Sequence, residues 1–259
     1  MDLKGTVVGM VNLRLDAVIE RRLLLNYRAD PGAVARLLPA PFRPQLRGGY
    51  AVVGICLQRL GRARPAGLPG VVGFGSENAA HHLAVSWDGP DGPRSGVYIP
   101  RRDSASRLWM AIGGRFLPGV RHRAVFDVAE RPDRLRVAYA TKDGSTAVDV
   151  EVRVAERLAD SVLFETTDQA AEFFRRASVG YSADRGRGEF QETELAAPQW
   201  RIDPCVVDRA ASSFYDDRAV FPTGAIALDS ALVVRKVPVR WTGLRPLSAR
   251  SEIPASSAG

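Results

Sequence analysis

The sequence predicts one mostly β domain of the α+β class, an antiparallel barrel or sandwich with a few short helices. Many segments rich in β-branched and apolar residues are separated by turns of glycine, proline and aspartate. Helix-start signals occur at only a few positions. Hydrophobic residues make up 46% and charged residues 25%, which is typical of folded globular proteins. We expect a single domain over residues 1–244 and a frayed tail over 245–259.

The first half of the chain is expected to contain four strands and two short helices. The strands are predicted at 21–28, 49–57, 75–87 and 95–99. Asp30 as N-cap and Pro31 in the first turn predict a helix that ends before Pro39. A second helix is predicted over 104–111. Proline and glycine predict a loop over 62–70 and a turn over 88–93.

The second half continues with a meander of three strands, predicted at 124–128, 135–140 and 146–154. Asp143 and Gly144 mark the hairpin turn between the last two. Thr166 and Gln169 resemble a capping box, which predicts a helix over 168–176. Short β segments follow Gly180, including 232–237.

Composition and patterning exclude several classes of function. The net charge is +7, but arginines alternate with acidic residues and no basic–aromatic motif is present, so no nucleic-acid partner is expected. No apolar run approaches the roughly 20 residues that span a bilayer, so we expect a cytoplasmic protein without a membrane partner. Cys56 and Cys205 fit no metal or disulfide pattern and are expected to be reduced.

The segment from Gly75 to Trp87 places ionisable residues on an apolar strand. Because strand side chains alternate between faces, Glu77 and His81 share a face whose later members are core-forming. We therefore predict Glu77 and His81 as catalytic acid–base residues. The alternatives are a structural ion pair for Glu77 and a hydrogen-bonded core position for His81. His82 faces the other way, so the two histidines cannot chelate one ion, and no metal is expected.

Three short motifs resemble the acetoacetate decarboxylase-like superfamily, and in particular its poorly characterised branch that lacks the Schiff-base lysine. The motifs are Tyr27-Arg28-Ala29-Asp30-Pro31 with Leu37-Leu38-Pro39, then Gly75-Ser76-Glu77, then Arg107-Leu108-Trp109 through Gly113-Gly114-Arg115. The resemblance implies a cone-like antiparallel β-barrel, flanked by short helices, with an internal ligand cavity. It also implies that Glu77 occupies an active-site position.

The resemblance implies the chemistry less directly, because Arg115 lies where the family has its reactive lysines. An arginine stays protonated and is not an amine nucleophile. The only lysines are Lys4, Lys142 and Lys236. Lys4 and Lys142 are expected to be exposed; Lys236, on a predicted strand, is the only candidate for the cavity, and its neighbours Arg235 and Arg240 favour a solvent-facing position instead. A Schiff base is therefore not expected.

The expected substrate-binding residues follow from the same comparison. Arg115 and Arg101 are predicted to bind a substrate carboxylate, unless Arg101 is a surface charge paired with Asp103. Arg22, or its neighbour Arg21, matches the arginine of the family's first core strand. Two aromatic residues complete the set, Tyr27 and Trp109.

These residues predict an enzyme that acts without a Schiff base on a small or medium carbonyl- or carboxylate-bearing substrate, with secondary metabolism as one setting. Decarboxylation, dehydration, isomerisation and cyclisation fit acid–base chemistry of this kind. No cofactor is expected, a small molecule is the expected partner, and a homo-oligomer is compatible with the family. The alternatives are a non-catalytic small-molecule-binding barrel and a filled barrel with a structural role.

Overall fold

The computed structural model describes residues 14–108, 119–184, 188–197 and 201–248. Within these ranges lie two α-helices, α1 (Pro31–Ala35) and α2 (Thr167–Arg176), and a 3₁₀ turn at Gly70–Val72. The first strands are β1 (Arg14–Ala29), β2 (Arg43–Pro44), β3 (Leu46–Arg47), β4 (Tyr50–Pro65), β5 (Phe74–Gly89), β6 (Gly92–Ser104) and β7 (Arg121–Glu130). The others are β8 (Arg134–Thr141), β9 (Ala147–Val154), β10 (Val179–Asp184), β11 (Glu189–Ala196), β12 (Ile202–Ser212), β13 (Ile226–Gly243) and β14 (Leu247–Ser248).

The strands form a continuous sheet that closes on itself twice. One closed ring runs β5-β6-β7-β8-β9-β12-β13-β1-β4 and returns to β5. A second ring runs β13-β1-β4-β5-β6-β10-β11 and returns to β13. The two rings share β13, β1, β4, β5 and β6. Each of these five strands consequently has a ring interior on both of its faces. This explains why several of them carry apolar side chains on both faces.

Side chains of the described strands form a large hydrophobic core inside the first ring. On β8 and β9, buried and exposed residues alternate, as expected for strands with one face on a core. Leu23 and Leu25 of β1 pack there with Val137 and Val150. A buried aromatic loop residue, Tyr215, closes one end, and its hydroxyl donates a hydrogen bond to the Gly54 carbonyl.

The second ring has a separate core. Leu24 of β1 faces it, next in sequence to the first-ring residues Leu23 and Leu25. Helix α2 packs Phe173 and Phe174 into the same core. The predicted cap of this helix is confirmed, because the Thr166 hydroxyl accepts a hydrogen bond from the Gln169 amide.

The observed elements differ from the predicted ones in their bounds. Helix α1 begins as predicted, with Asp30 accepting from the Ala33 amide, but ends at Ala35. Strand β4 continues to Pro65, through the predicted loop, by way of a left-handed residue at Arg62. Of the helix predicted over 104–111, Ser104 belongs to β6, residues 107 and 108 are helical, and residues 109–111 lie outside the described ranges.

The sheet also differs from a purely antiparallel one. Strand β6 pairs in parallel with both β7 and β10. Each of these strands is reached by a long connection from β6 and not by a hairpin, and such a connection permits parallel pairing. The meander β7-β8-β9 is antiparallel, as predicted.

Candidate functional site

The second ring encloses a cavity of about 80 Å³. All seven strands of that ring contribute to its lining, and the end of α2 closes one side. The lining consists of Arg22, Cys56, Gln58, Ala80, His82, Val97, Ile99, Arg102, Phe174, Ala177, Ser178, Gly180, Thr193, Leu195 and Trp241. Space of this size accommodates on the order of five to eight water-sized groups, which suits a small organic molecule.

Arg102 of β6 brings a positive charge to this cavity. Its Nη2 donates to the hydroxyl of Ser182, at 3.2 Å, while its buried Nε has no hydrogen-bond partner in the described part of the chain. Burial, together with the nearby charge of Arg121, lowers the pKa of Arg102 to about 9. The guanidinium is therefore still charged at neutral pH.

Arg22 of β1 supplies a second guanidinium from the opposite side of β4. Its Nε donates a hydrogen bond to the Cys56 sulfur, at 3.1 Å. The neighbouring Arg21 points into the other ring, so the structure resolves which of the two arginines reaches the cavity. Among the described lining residues there are two guanidiniums and no carboxylate.

His82 of β5 is the third ionisable nitrogen group in the lining and is only 5% exposed. Burial lowers its pKa to about 3, the charge of Arg22 adds to this effect, and a hydrogen bond with the Ala80 backbone opposes it. The imidazole is therefore neutral at physiological pH. Its edge faces the ring of Phe174, with the centroids 6.2 Å apart.

Glu77 lies on the first-ring face of β5 and does not line the cavity. Its carboxylate forms a 2.5 Å ion pair with Arg21, whose side chain is only 1% exposed. Arg21 also reaches Glu130 of β7, at 3.5 Å, and Glu130 pairs with Arg235. The structural ion pair weighed in the sequence analysis is thus present.

His81 is fully buried in the first ring, against Phe214 and Tyr215. Burial lowers its pKa to about 3, with a further contribution from the charge of Arg101. Neither ring nitrogen has a hydrogen-bond partner within the described ranges. The structure places His81 in a core, as in the alternative considered for it, but without the hydrogen bond of that alternative.

The remaining predicted binding residues do not meet at one place. Arg101 pairs with the buried Asp103, at 2.9 Å, and with Ser145, which is the alternative considered for it. Tyr27 stacks on Tyr215, with centroids 4.6 Å apart, in the first-ring core. Trp109 and Arg115 lie outside the described residues.

Two of the three lysines can be located in the structure. Lys142 and Lys236 are exposed and neither lines the cavity, whereas Lys4 lies outside the described ranges. Within those ranges no group of three or more His, Cys, Asp or Glu side chains is arranged to hold a metal ion. The described part of the chain also has no helix that is long and apolar enough to span a membrane.

Sequence reasoning missed six polar or thiol residues of the cavity: Cys56, Gln58, His82, Arg102, Ser178 and Thr193. A signal for one of them, His82, was present in β5, because from Ala79 to Val85 both faces of the strand carry small or apolar residues. A strand with this pattern is buried on both sides, so the face of Ala80 and His82 also had to meet an interior. The direction of the Arg102 side chain could not be predicted by alternation. The pairing of β5 with β6 is irregular between His81 and Leu83, so the side chains of β6 do not alternate regularly between faces there.

Solved structures with the same architecture share little sequence with this chain. The enduracididine biosynthesis enzyme MppR, with bound HEPES, has a TM-score of 0.64 at 14% identity, covering 95% of this chain and 92% of its own. Acetoacetate decarboxylase from Legionella pneumophila has a TM-score of 0.61 at 11% identity, covering 92% and 87%. An acetoacetate decarboxylase-like enzyme from Sphingomonas wittichii RW1 has a TM-score of 0.58 at 14% identity, covering 96% and 98%.

These similarities define the fold as that of the acetoacetate decarboxylase-like structures. No curated protein matches the sequence. Within that fold class the chain belongs to the DUF2071 family, described as an uncharacterized conserved protein, whose family model matches residues 16–231.

Proposed function

We propose that this protein is an enzyme that binds a small carboxylate with a carbonyl group inside the second ring and transfers protons on it. The observation that carries the proposal is the charge of the cavity, where two guanidiniums face a lining whose described residues include no carboxylate. A buried charge is unfavourable unless it is paired. A substrate carboxylate brings a negative charge to this site, and guanidinium groups bind carboxylates with directed hydrogen bonds.

In this proposal Arg102 and Arg22 bind the carboxylate and polarise the developing oxyanion, while His82 transfers the proton. A ligand-free His82 with a pKa of about 3 is a weak base. A carboxylate bound beside it stabilises the imidazolium and raises its pKa towards neutral pH, where it can work as a general base. Enolisation is the common step of decarboxylation, dehydration and isomerisation next to a carbonyl.

The sequence predicts a barrel with an internal ligand site. In this proposal the cavity of the second ring is that site. We assign proton transfer to His82 because Glu77 and His81 occupy the other face of β5. The exposed positions of Lys142 and Lys236 support a reaction without a Schiff base. Structural neighbours fit this substrate class, since MppR has also been solved with pyruvate.

The test uses pyruvate and acetoacetate as ligands and acetone as a carbonyl compound without a carboxylate. We expect the two acids, but not acetone, to raise the melting temperature. Arg102→Gln should weaken acid binding by about 10- to 100-fold, since a hydrogen bond to a charged group contributes roughly 1.5–3 kcal/mol. Arg94→Gln, an exposed arginine on the same strand, is the matched control.

Catalysis is tested by proton NMR in deuterium oxide, which follows exchange of the pyruvate methyl hydrogens. We expect protein-dependent exchange that His82→Gln abolishes while binding persists. Borohydride should trap no covalent adduct. Equal binding of acetone and pyruvate, or acid binding that Arg102→Gln leaves unchanged, would show that the proposed site is wrong.

A second candidate, a non-catalytic binding protein, has one observation in its favour. The lining within the described ranges contains no carboxylate base, and its imidazole is a weak one when no ligand is bound. This candidate predicts that the acids bind and depend on Arg102, but that no exchange of the methyl hydrogens occurs. The exchange experiment therefore separates the two functions.

A further inference from the structure

Cys56 is the only thiol in the lining that the structure describes. It lies on β4 between Ile55 and Leu57, which pack in the first ring, so its own side chain faces the second ring. The thiol is free and only 5% exposed. It therefore contacts the cavity and not bulk solvent.

Cys56 has a charged neighbour and a neutral one: its thiol donates to Gln58 Oε1 at 3.8 Å and accepts from an arginine. Arg22 Nε donates to its sulfur at 3.1 Å, and a charged donor interacts more strongly with an anionic sulfur than with a neutral one. Arg102 also interacts with Cys56 electrostatically, which partly offsets the lowering of the Arg102 pKa by burial and by Arg121. Two guanidiniums thus act on the same sulfur.

An imidazole lies diagonally across from Cys56 on the neighbouring strand. Cys56 pairs with Ala80 and Gly54 pairs with His82, so Cys56 and His82 are diagonal neighbours on one face of β4 and β5. His82 is 95% buried and lines the cavity, and its Nε2 has no hydrogen-bond partner among the described residues. A buried imidazole nitrogen without a partner is available to a bound molecule or to the thiol proton.

The second cysteine provides an internal comparison. Cys205 of β12 is also free and buried, but it packs in the first-ring core, where burial raises its pKa to about 12. It neither lines the cavity nor contacts an arginine of that cavity. A difference in reaction rate between the two thiols therefore reflects the surroundings of Cys56.

We propose that Cys56 is a nucleophile that adds reversibly to the carbonyl carbon of the bound substrate. The sulfur–carbon bond forms as the carbonyl π bond breaks, and the thiol proton passes through His82 to the former carbonyl oxygen. The product is a hemithioacetal, and no oxidant or reductant takes part. This inference rests on the proposed function, because the arginines that hold the carboxylate also position the carbonyl next to the sulfur.

The probe is glyoxylate labelled with carbon-13 at its aldehyde carbon, because it is small and carries both functional groups. We expect a hemithioacetal carbon signal in the wild type and in Cys205→Ser, and its loss in Cys56→Ser and Cys56→Ala. Glycolate, which has the carboxylate but no carbonyl, should displace the signal by competition. Near-UV circular dichroism establishes that each variant is folded.

Accessibility of the thiol is measured separately with iodoacetamide and mass spectrometry. We expect Cys56 to be alkylated about tenfold or more faster than Cys205 in the folded protein, and the two at similar rates after denaturation. A folded protein in which Cys56 reacts no faster than Cys205 contradicts the inference.

The possible failures are distinguishable. Glyoxylate that raises the melting temperature but gives no signal dependent on Cys56 overturns the covalent step and leaves the proposed function standing. If Cys56 is alkylated but neither glyoxylate nor glycolate binds, the carboxylate site is wrong, and the covalent step falls with it.

Discussion

Replacement of His81 by phenylalanine should reduce the sensitivity of the fold to mild acid. Burial holds the pKa of both His81 and His82 near 3, whereas an imidazole in an unfolded chain has a pKa of about 6.5. Below about pH 6.5 the two imidazoles are protonated in the unfolded chain but stay neutral in the folded protein. The contribution of the two neutral imidazoles to stability is therefore fully present above that pH and is lost as the pH falls towards 3.

The size of the effect follows from the proton uptake of the unfolded chain. Between pH 7 and pH 5 each buried imidazole lowers the free energy of unfolding by about 2 kcal/mol, so the two together lower it by about 4 kcal/mol. In His81→Phe only the His82 contribution remains, about 2 kcal/mol. The new ring is suited to the site, because His81 already packs against Phe214 and Tyr215.

The assay is urea unfolding followed by tryptophan fluorescence at pH 7, 6 and 5, with linear extrapolation of the free energy of unfolding. His122→Gln is the control, because the ring of His122 reaches solvent and faces the carboxylate of Asp143. Both buried imidazoles remain in His122→Gln, so its loss between pH 7 and pH 5 should stay larger than that of His81→Phe. Equal losses in the wild type and in His81→Phe would refute the reasoning.

Two further substitutions test the architecture around the site. Glu77→Gln should lower the free energy of unfolding by about 3 kcal/mol, because, of the described ion pairs of the buried Arg21, only the longer one, to Glu130, remains. Urea unfolding measures this loss. The control is Asp88→Asn, which removes an exposed ion pair with Arg43 and should leave the unfolding midpoint unchanged. If Glu77→Gln keeps wild-type stability but abolishes the exchange of pyruvate hydrogens, the catalytic role predicted for Glu77 from the sequence gains support over the structural one. Gly54→Ala should cost about 2 kcal/mol or more, because an added Cβ would overlap the Leu25 carbonyl and lie 2.8 Å from His82 Nε2. Gly75→Ala, whose nearest neighbour would be the Leu60 carbonyl at 3.1 Å, should cost less in the same assay, and a larger loss for Gly75→Ala would contradict this explanation.

Local chemistry in the sequence was sufficient to predict many of the elements. Asp30 caps α1 and Thr166 caps α2, because a short polar side chain satisfies the first free amides of a helix wherever the helix packs. The Asp-Gly turn at Gly144 joins β8 and β9 for a similarly local reason, since glycine adopts the positive φ of 69° found there.

The ends of the elements depended on non-local contacts. Strand β4 runs on to Pro65 because β1 and β5 pair with it on both sides. Those pairings outweigh the local preference of a segment rich in proline and arginine for a loop. The length of a strand is therefore set in part by its neighbours, which the local sequence does not reveal.

The sequence by itself determined that Glu77 and His81 share one face of a buried strand and that His82 faces the other way, since alternation is a property of the backbone. Only the tertiary structure decided which face borders an open cavity. Five strands belong to two rings at once. Among the described residues, large side chains pack around Tyr215 in the first ring, whereas the second ring has space beside Arg22, His82 and Arg102. That difference arises from closure and packing between strands that are distant in sequence, so no local pattern in β5 can encode it.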